Sequence, residues 1–497
     1  MALAACVVSR IYFGLIFKAG TSDIGVYFEY AVQAIDLGQV PYSQASNPSP
    51  NFRNLQNLEY PPVGYWVTAL PRRLPHEDLP RGPEEMSVDD RPVFDEELGR
   101  NLTTSEKRVS EFNRLYWDEY LTYADRFRWS MLLCDIGSFA IFCAILRRCR
   151  PEVLLWGMWG YTVATSLLGY VMFERFDMAL TFALLSWAYC WLRAGESDSR
   201  AWIWSALAYT ALGLGISLKL IPVILVPFAL LCDLYALARP PRRWGLLIGP
   251  AMLVVAAVGP FAYYYSLVGK DLWGMFRYHQ VRGIQIESSY ATLMMLLKPA
   301  EELPCYFDFG SWNLGGTLED PFLKASTWAL IVALGGLGLR SLFAPAIGEK
   351  YDRVASFRMA CVVIPVATLL AKVFSLQYLL WAVPMLLLGA AEYFSRRAFI
   401  ATVVLITLAC ACTGFIFPYH YLDHMKVFPY SEEHPPLWTL ITAEEGARGA
   451  LDTGLARAVM ITRNLVYGVL CAALYAMALL PTRTSLLPRG EEGSPSR

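Results

Sequence analysis

The sequence is poor in charge. Only 17% of its 497 residues are Asp, Glu, Lys or Arg, against about 25% in ordinary soluble domains. Mean hydropathy is +0.37. Apolar residues gather in runs of roughly 16–24, the length that crosses a hydrocarbon core. That excludes a soluble enzyme with one large core and implies a polytopic membrane protein. A basic patch with interleaved aromatics is lacking too, so nucleic acid is not an expected partner. The net charge of −1 implies no partner of either sign.

Metal-ligand patterning is equally sparse. The 11 cysteines have no such spacing and nearly all fall in or beside apolar runs, which suits small packing residues. The topology read below leaves only Cys305 clearly on the outer side of the membrane, and one outside cysteine makes no disulfide framework. There are five histidines. His420, Asp423 and His424 in "HYLDH" have i, i+4 spacing but no convincing further ligand, so no metal site is expected. The N-terminal "MALAACVVSRIYFGLIF" has no cleavage pattern of a signal peptide and reads as a first span interrupted by Arg10.

The apolar runs give twelve expected spans, at 2–17, 128–147, 153–171, 177–193, 201–217, 219–237, 244–266, 326–344, 357–372, 376–393, 398–417 and 457–480. In lipid the backbone must satisfy its own hydrogen bonds, so these are read as helices, with prolines tolerated as kinks. Lys and Arg set the orientation. "RRCR", "RAGESDSR", "RPPRR", "RSLFAPAIGEKYDR", "SRR" and the tail "PTRTSLLPR" fall on one side if spans alternate, so both termini are expected in the cytoplasm. The outer segments then include a first loop at 18–127, a second at 267–325 and a third at 418–456. The first loop holds a charged run read as a solvated excursion and two aromatic stretches. "EYPPVGYWVTALP" and "FNRLYWDEYLTYADRFRW" fit interfacial helices. Asn101-Leu102-Thr103 matches a glycosylation sequon.

Several polar residues map to the outer side at the edge of the bundle. Asp23 follows the first span. Glu174, Arg175 and Asp177 form "ERFD"; Lys219 sits in "SLKLIP"; Arg277, His279, Arg282 and Glu287 lie in "FRYHQVRGIQIES"; Lys372 and Gln377 flank a tight corner. Ionisable groups at bilayer depth are costly unless paired or functional. Cations there suit an anionic lipid phosphate, and a carboxylate can take a proton from an attacking hydroxyl. Together they suggest group transfer from a lipid phosphate to an alcohol. Each residue also has a plainer reading: Asp23 as a helix cap beside Ser22, "ERFD" as an ion pair, the lysines as snorkelling side chains.

The series "SDIGVYFEYAVQAIDLGQVPY", "EYPP", "ERFD", "SLKLIPVILVP", "YHQVRGIQIESSYATLM" and "KVFSLQYLLWAVP" resembles the glycosyltransferase C superfamily, and within it bacterial glycosyltransferase family 87, the polyprenyl-phosphate-mannose-dependent mannosyltransferase-like proteins. The resemblance runs from about residue 10 to 390. It implies an all-α helical bundle with a large first outer loop carrying interfacial helices. Residues 1–393 would form the catalytic module, and 394–497 further spans with a cytoplasmic tail. It also implies inverting transfer of a sugar, mannose by family, from a polyprenyl phosphate to a hydroxyl acceptor at the outer face of the cytoplasmic membrane. The acceptor could be a glycolipid, a glycan or a protein. No cofactor or metal is expected. The catalytic base maps to Asp23. Ser22 stands where superfamily members often have a second acid, leaving Glu29, Glu59 or Asp177 as partners. Arg282, Lys219, Lys372 and Arg175 would meet the donor phosphate. Glu174, Asp177, Tyr278, His279, Gln285, Glu287, Gln377 and Glu59 would line the substrate. The competing class is a lipid or sugar transporter, which favours ionisable residues nearer the midplane and paired broken helices.

Overall fold

The structure is a computed structural model and describes residues 1–16, 22–44, 49, 51–53, 55, 58–89, 91–95, 100–169, 171–196, 199–238, 247–308, 310–417, 448–449 and 454–481; the side chains of residues 15, 22, 278, 279, 448 and 449 are not described. "HYLDH", most of the 418–456 loop, "RPPRR" and the tail lie outside the described residues, as do the side chains of Tyr278 and His279.

Helices dominate. The chain runs through α1 (Ala2–Ile11), α2 (Ser22–Ile35), α3 (Pro62–Ala69), the strand pair β1 (Phe94–Asp95) and β2 (Arg100–Asn101), and α4 (Thr104–Cys149). Then come α5 (Leu154–Leu167), α6 (Val171–Glu174), α7 (Asp177–Glu196), α8 (Ala201–Leu218), α9 (Val226–Ala238), α10 (Ile248–Val268), α11 (Gly274–Val281) and α12 (Ser289–Leu297). After β3 (Cys305–Asp308) and β4 (Ser311–Leu314) follow α13 (Glu319–Leu342), α14 (Arg353–Leu370), α15 (Tyr378–Tyr393), α16 (Arg396–Phe415), β5 (Arg448–Gly449) and α17 (Leu455–Leu479). Each of the twelve expected spans coincides with a helix or a pair of abutting helical turns. Eight are long and apolar enough to cross a bilayer by that measure alone. The protein is an all-α polytopic membrane protein.

The centre of the bundle is α14 and α15. The most apolar stretch of α14 is 72% buried, against 11% for α13 and 22% for the segment beginning at Ile248. Those two present Trp328, Val332, Val254 and Val255 outward, as helices facing lipid do. Arg10, expected to interrupt the first span, is instead buried in it. Its Nε donates to Asp135 Oδ2 at 2.7 Å, and its other nitrogens reach Thr165 Oγ1 at 2.6 Å and Ser166 Oγ at 2.9 Å. Tyr161 donates to Asp135 Oδ1 at 3.0 Å. This network ties α1 to α4 and α5.

The first loop departs from expectation in one large respect. The stretch read as a separate interfacial helix is the outer half of α4, which runs 46 residues without a break. At 1.5 Å per residue it is about 69 Å long, more than twice a hydrocarbon core of about 30 Å. A capping box starts it: Thr103 Oγ1 accepts from the Glu106 N–H at 3.3 Å, and Glu106 Oε2 accepts from the Thr103 N–H at 2.8 Å. No proline interrupts the sequence before Pro151, so the apolar span and its charged extension propagate as one element.

"EYPPVGYWVTALP" does form a helix, α3, but wedged against the bundle. A Cβ on Gly64 would lie 2.7 Å from the Leu218 carbonyl oxygen, so only glycine permits this contact with α8. Trp66 Nε1 donates to Tyr264 Oη at 3.0 Å. Beyond α3, Arg72 is fully buried and pairs with Asp36, with Glu119 Oε2 at 2.5 Å, and with the Glu77 carbonyl at 2.7 Å. One guanidinium thus fastens the loop, the end of α2 and the outer part of α4. The second long loop holds a small antiparallel sheet in the order β4-β3-β5, which returns the chain before α17 to this end of the bundle.

Candidate active site

"ERFD" has three charged side chains, and each goes to a different element. Glu174, buried in the short helix α6, accepts from an Arg128 terminal nitrogen at 2.7 Å and so faces α4. Arg175 pairs with Asp23 at the start of α2. Asp177, 2% exposed at the start of α7, accepts from Lys219 Nζ at 2.7 Å and from Trp381 Nε1 at 2.9 Å, both on Oδ1. Between them Phe176 packs against Tyr27 and Tyr60 and lies 5.6 Å beneath the Lys219 ammonium. The motif is a clamp. It ties Asp23, through Arg175, and Lys219, through Asp177, to one short segment.

Both lysine corners follow from helix breaks. α8 ends at Leu218, Lys219 is extended, and the chain restarts as a 3-10 turn at Ile221–Leu225 with Pro222 in its first turn. α14 ends at Leu370 and α15 begins at Tyr378. In that gap Lys372 Nζ donates to the Arg282 carbonyl at 2.6 Å and to that of Gln280 at 3.2 Å. The Gln285 N–H returns a bond to the Lys372 carbonyl at 3.1 Å, and its side chain exchanges hydrogen bonds with Ser375. A Cβ on Gly283 would lie 2.1 Å from Tyr306 Oη, so the turn after Arg282 is pressed against β3.

These elements enclose a cavity of about 1230 Å³. Asp23, Arg175, Lys219, Arg282, Lys372, Gln285, Glu287, Gln377 and Glu59 all line it. Val223, Ile224, Val281, Leu376 and Phe417 give it an apolar side. Of the three acids proposed as partners for Asp23, Glu59 lines the cavity with it. It accepts from Tyr30 Oη at 3.2 Å, and burial raises its carboxyl pKa. Of the other two proposed partner acids, Asp177 is taken up by Lys219 and Trp381, and Glu29 by Arg53 at 3.4 Å. Tyr42 holds the Glu59–Tyr60 segment: it adopts φ 68, a left-handed conformation costly for an aromatic residue, and its hydroxyl donates to the Tyr60 carbonyl at 2.7 Å.

No family model matches the chain, and no curated protein matches it. Among solved structures, the chain is similar to ArnT from Cupriavidus metallidurans, crystallised bound to undecaprenyl phosphate. That likeness covers 96% of this chain and 76% of the other, at 13% identity and a TM-score of 0.41. At this level it assigns no function.

One expected role is corrected by the geometry: Glu174 faces Arg128 rather than the cavity. Arg175 lines the cavity while paired with Asp23. Other cavity residues carry weaker sequence signals. Arg53 and Tyr60 lie in the loop, and Trp381 lies inside an apolar run where aromatics are common. Arg463 and Asn464 on α17 stand behind the site. Arg463, fully buried, donates to the carbonyls of Glu287 at 3.1 Å and Phe374 at 3.2 Å, and Asn464 donates to the Glu287 carbonyl at 3.0 Å. Their signal was two polar residues inside the apolar run 457–480.

Proposed function

We propose that this protein is a membrane glycosyltransferase that moves a sugar, mannose by family resemblance, from a polyprenyl phosphate to a hydroxyl acceptor. The observation that carries the reading is that Asp23 and the three cations Lys219, Arg282 and Lys372 line one cavity with an apolar side. The acceptor oxygen attacks the anomeric carbon as the bond from that carbon to the phosphate oxygen breaks, and the configuration inverts. Asp23 takes the hydroxyl proton. The departing polyprenyl phosphate keeps the bonding electrons, and its charge is met by the three cations. Arg175 pairs with Asp23 and fixes the direction of its carboxylate. Gln285, Glu287 and Gln377 offer hydrogen-bond partners to the sugar, and the apolar side accepts the start of the lipid chain. The reaction uses no metal or cofactor. The site faces outward, with the basic short loops and both termini in the cytoplasm, as the distribution of Lys and Arg suggests.

The test uses purified protein in liposomes holding a polyprenyl-phosphate donor with a labelled sugar and a mixture of glycolipid and glycan acceptors. The expected result is label in the acceptor fraction with release of polyprenyl phosphate. Movement of the intact donor across the bilayer, with no label transferred, would instead establish a transporter.

A further inference from the structure

Outside the cavity, the far end of α2 carries a second polar cluster. Asp36 follows the last residue of α2, about 20 Å along the helix from Asp23. Opposite it lie His76 and Asp78, and the ligand-type atoms of the three lie within 4.8 Å of one another. Nδ1 of His76 is 2.8 Å from the Leu74 carbonyl oxygen, a contact that requires a proton on Nδ1. In the neutral ring Nε2 then carries the lone pair, directed into the cluster. Nε2 is buried and makes no well-formed hydrogen bond, yet it sits 3.3 Å from Asp36 Oδ1 and 3.2 Å from Asp78 Oδ1.

A lone pair facing two carboxylates is unfavourable unless a positive charge lies between them. Arg72 does not supply it, because its single charge is already shared between Asp36 and Glu119, leaving Asp78 as a third carboxylate. Spacing points to the missing charge. Ligands about 2.0–2.1 Å from a tetrahedral cation are separated by about 3.3 Å, close to both nitrogen–oxygen distances here. A histidine whose other ring N–H is held by a backbone carbonyl is also the usual arrangement of a metal-bound imidazole. The turn is held in advance: Arg126 on α4 donates to the carbonyls of Pro71 at 3.3 Å and Pro75 at 2.6 Å.

We propose that Asp36, His76 and Asp78 bind one divalent cation of the zinc type, with water as the fourth ligand. The cation locks the 74–79 turn onto the end of α2, the helix that carries Asp23 at its start. Its role is structural and independent of the transfer chemistry.

The test uses the full chain without a polyhistidine tag, stripped by chelator and titrated with Co²⁺. The expected result is one equivalent bound with the strong visible absorption of tetrahedral cobalt, bleached by Zn²⁺. His76→Gln and Asp78→Asn should each weaken binding about tenfold or more with unchanged circular dichroism. Asp78 is mostly exposed, so its variant keeps the comparison valid if His76→Gln misfolds. Zn²⁺ should raise the melting temperature of the wild type and not of either variant. Absence of stoichiometric tetrahedral cobalt would overturn the proposal. So would binding undiminished in Asp78→Asn.

Discussion

Asp177 and Lys219 illustrate how single residues build this site. The lysine's ammonium is held by a carboxylate that is 2% exposed and also carries Trp381. Removing one member leaves an unpaired charge in a poorly hydrated place, at a cost of about 3–5 kcal/mol. Lys219→Met should therefore lower the melting temperature and abolish donor binding together. The double change Asp177→Asn with Lys219→Met should recover much of the stability while donor binding stays lost. Stability without recovery of binding would separate the two roles of Lys219, whereas full recovery of both would remove it from the phosphate site. Glu59 gives a test with a definite sign. Burial holds its folded pKa above the ordinary 4.5, so between those values the folded protein holds a proton that the unfolded chain has lost. Its contribution to stability falls as pH rises through that window. Glu59→Gln should therefore raise the melting temperature at neutral pH, with the difference vanishing below pH 4.5. A lower melting temperature at neutral pH would contradict this. At this scale the sequence exposed the unusual residues but not their directions. Glu174, Arg175 and Asp177 are close in the chain yet reach α4, α2 and the Lys219 corner respectively, because a break between two helices fans consecutive side chains apart.

Among the elements, the spans were legible because a run of apolar residues of bilayer length has few alternatives to a helix. The extent of α4 was not. Its outer half is polar and amphipathic, which describes an interfacial helix equally well, and only the absence of a breaker hinted at continuity. The strands β3 and β4 are four residues each, too short for alternation to stand out, and their pairing depends on chain packed around them. The last span, α17, proved to be part of the site's support rather than a neutral addition. Arg463 reaches the backbone on which Glu287 and Phe374 sit, and stacks 4.1 Å from the Phe374 ring. Arg463→Ala leaves two buried carbonyls without this donor and should destabilise the protein by about 2–4 kcal/mol, read by thermal unfolding in detergent. A change under about 0.5 kcal/mol would mean that α17 does not brace the cavity.

Taken as a whole, the molecule has two unlike ends. One gathers the cavity, the long loops and the corners at Lys219 and Lys372. The other carries short basic connections closed by ion pairs such as Arg148–Glu196 and Arg340–Glu349. In the proposed orientation, which follows the distribution of Lys and Arg, the second end would be cytoplasmic. A cysteine at exposed Thr317, in the second long loop, should react with a membrane-impermeant maleimide in intact cells, and one at exposed Ser199 should react only after permeabilisation; the opposite pattern would invert the proposed orientation. The central claim is that one cavity places a proton acceptor opposite the cations that hold the donor phosphate. The most direct measurement compares donor binding with single-turnover transfer in Asp23→Asn. The account predicts polyprenyl-phosphate affinity within about threefold of wild type and transfer slowed by about 10²–10⁴-fold. Transfer at the wild-type rate with donor binding intact would contradict it.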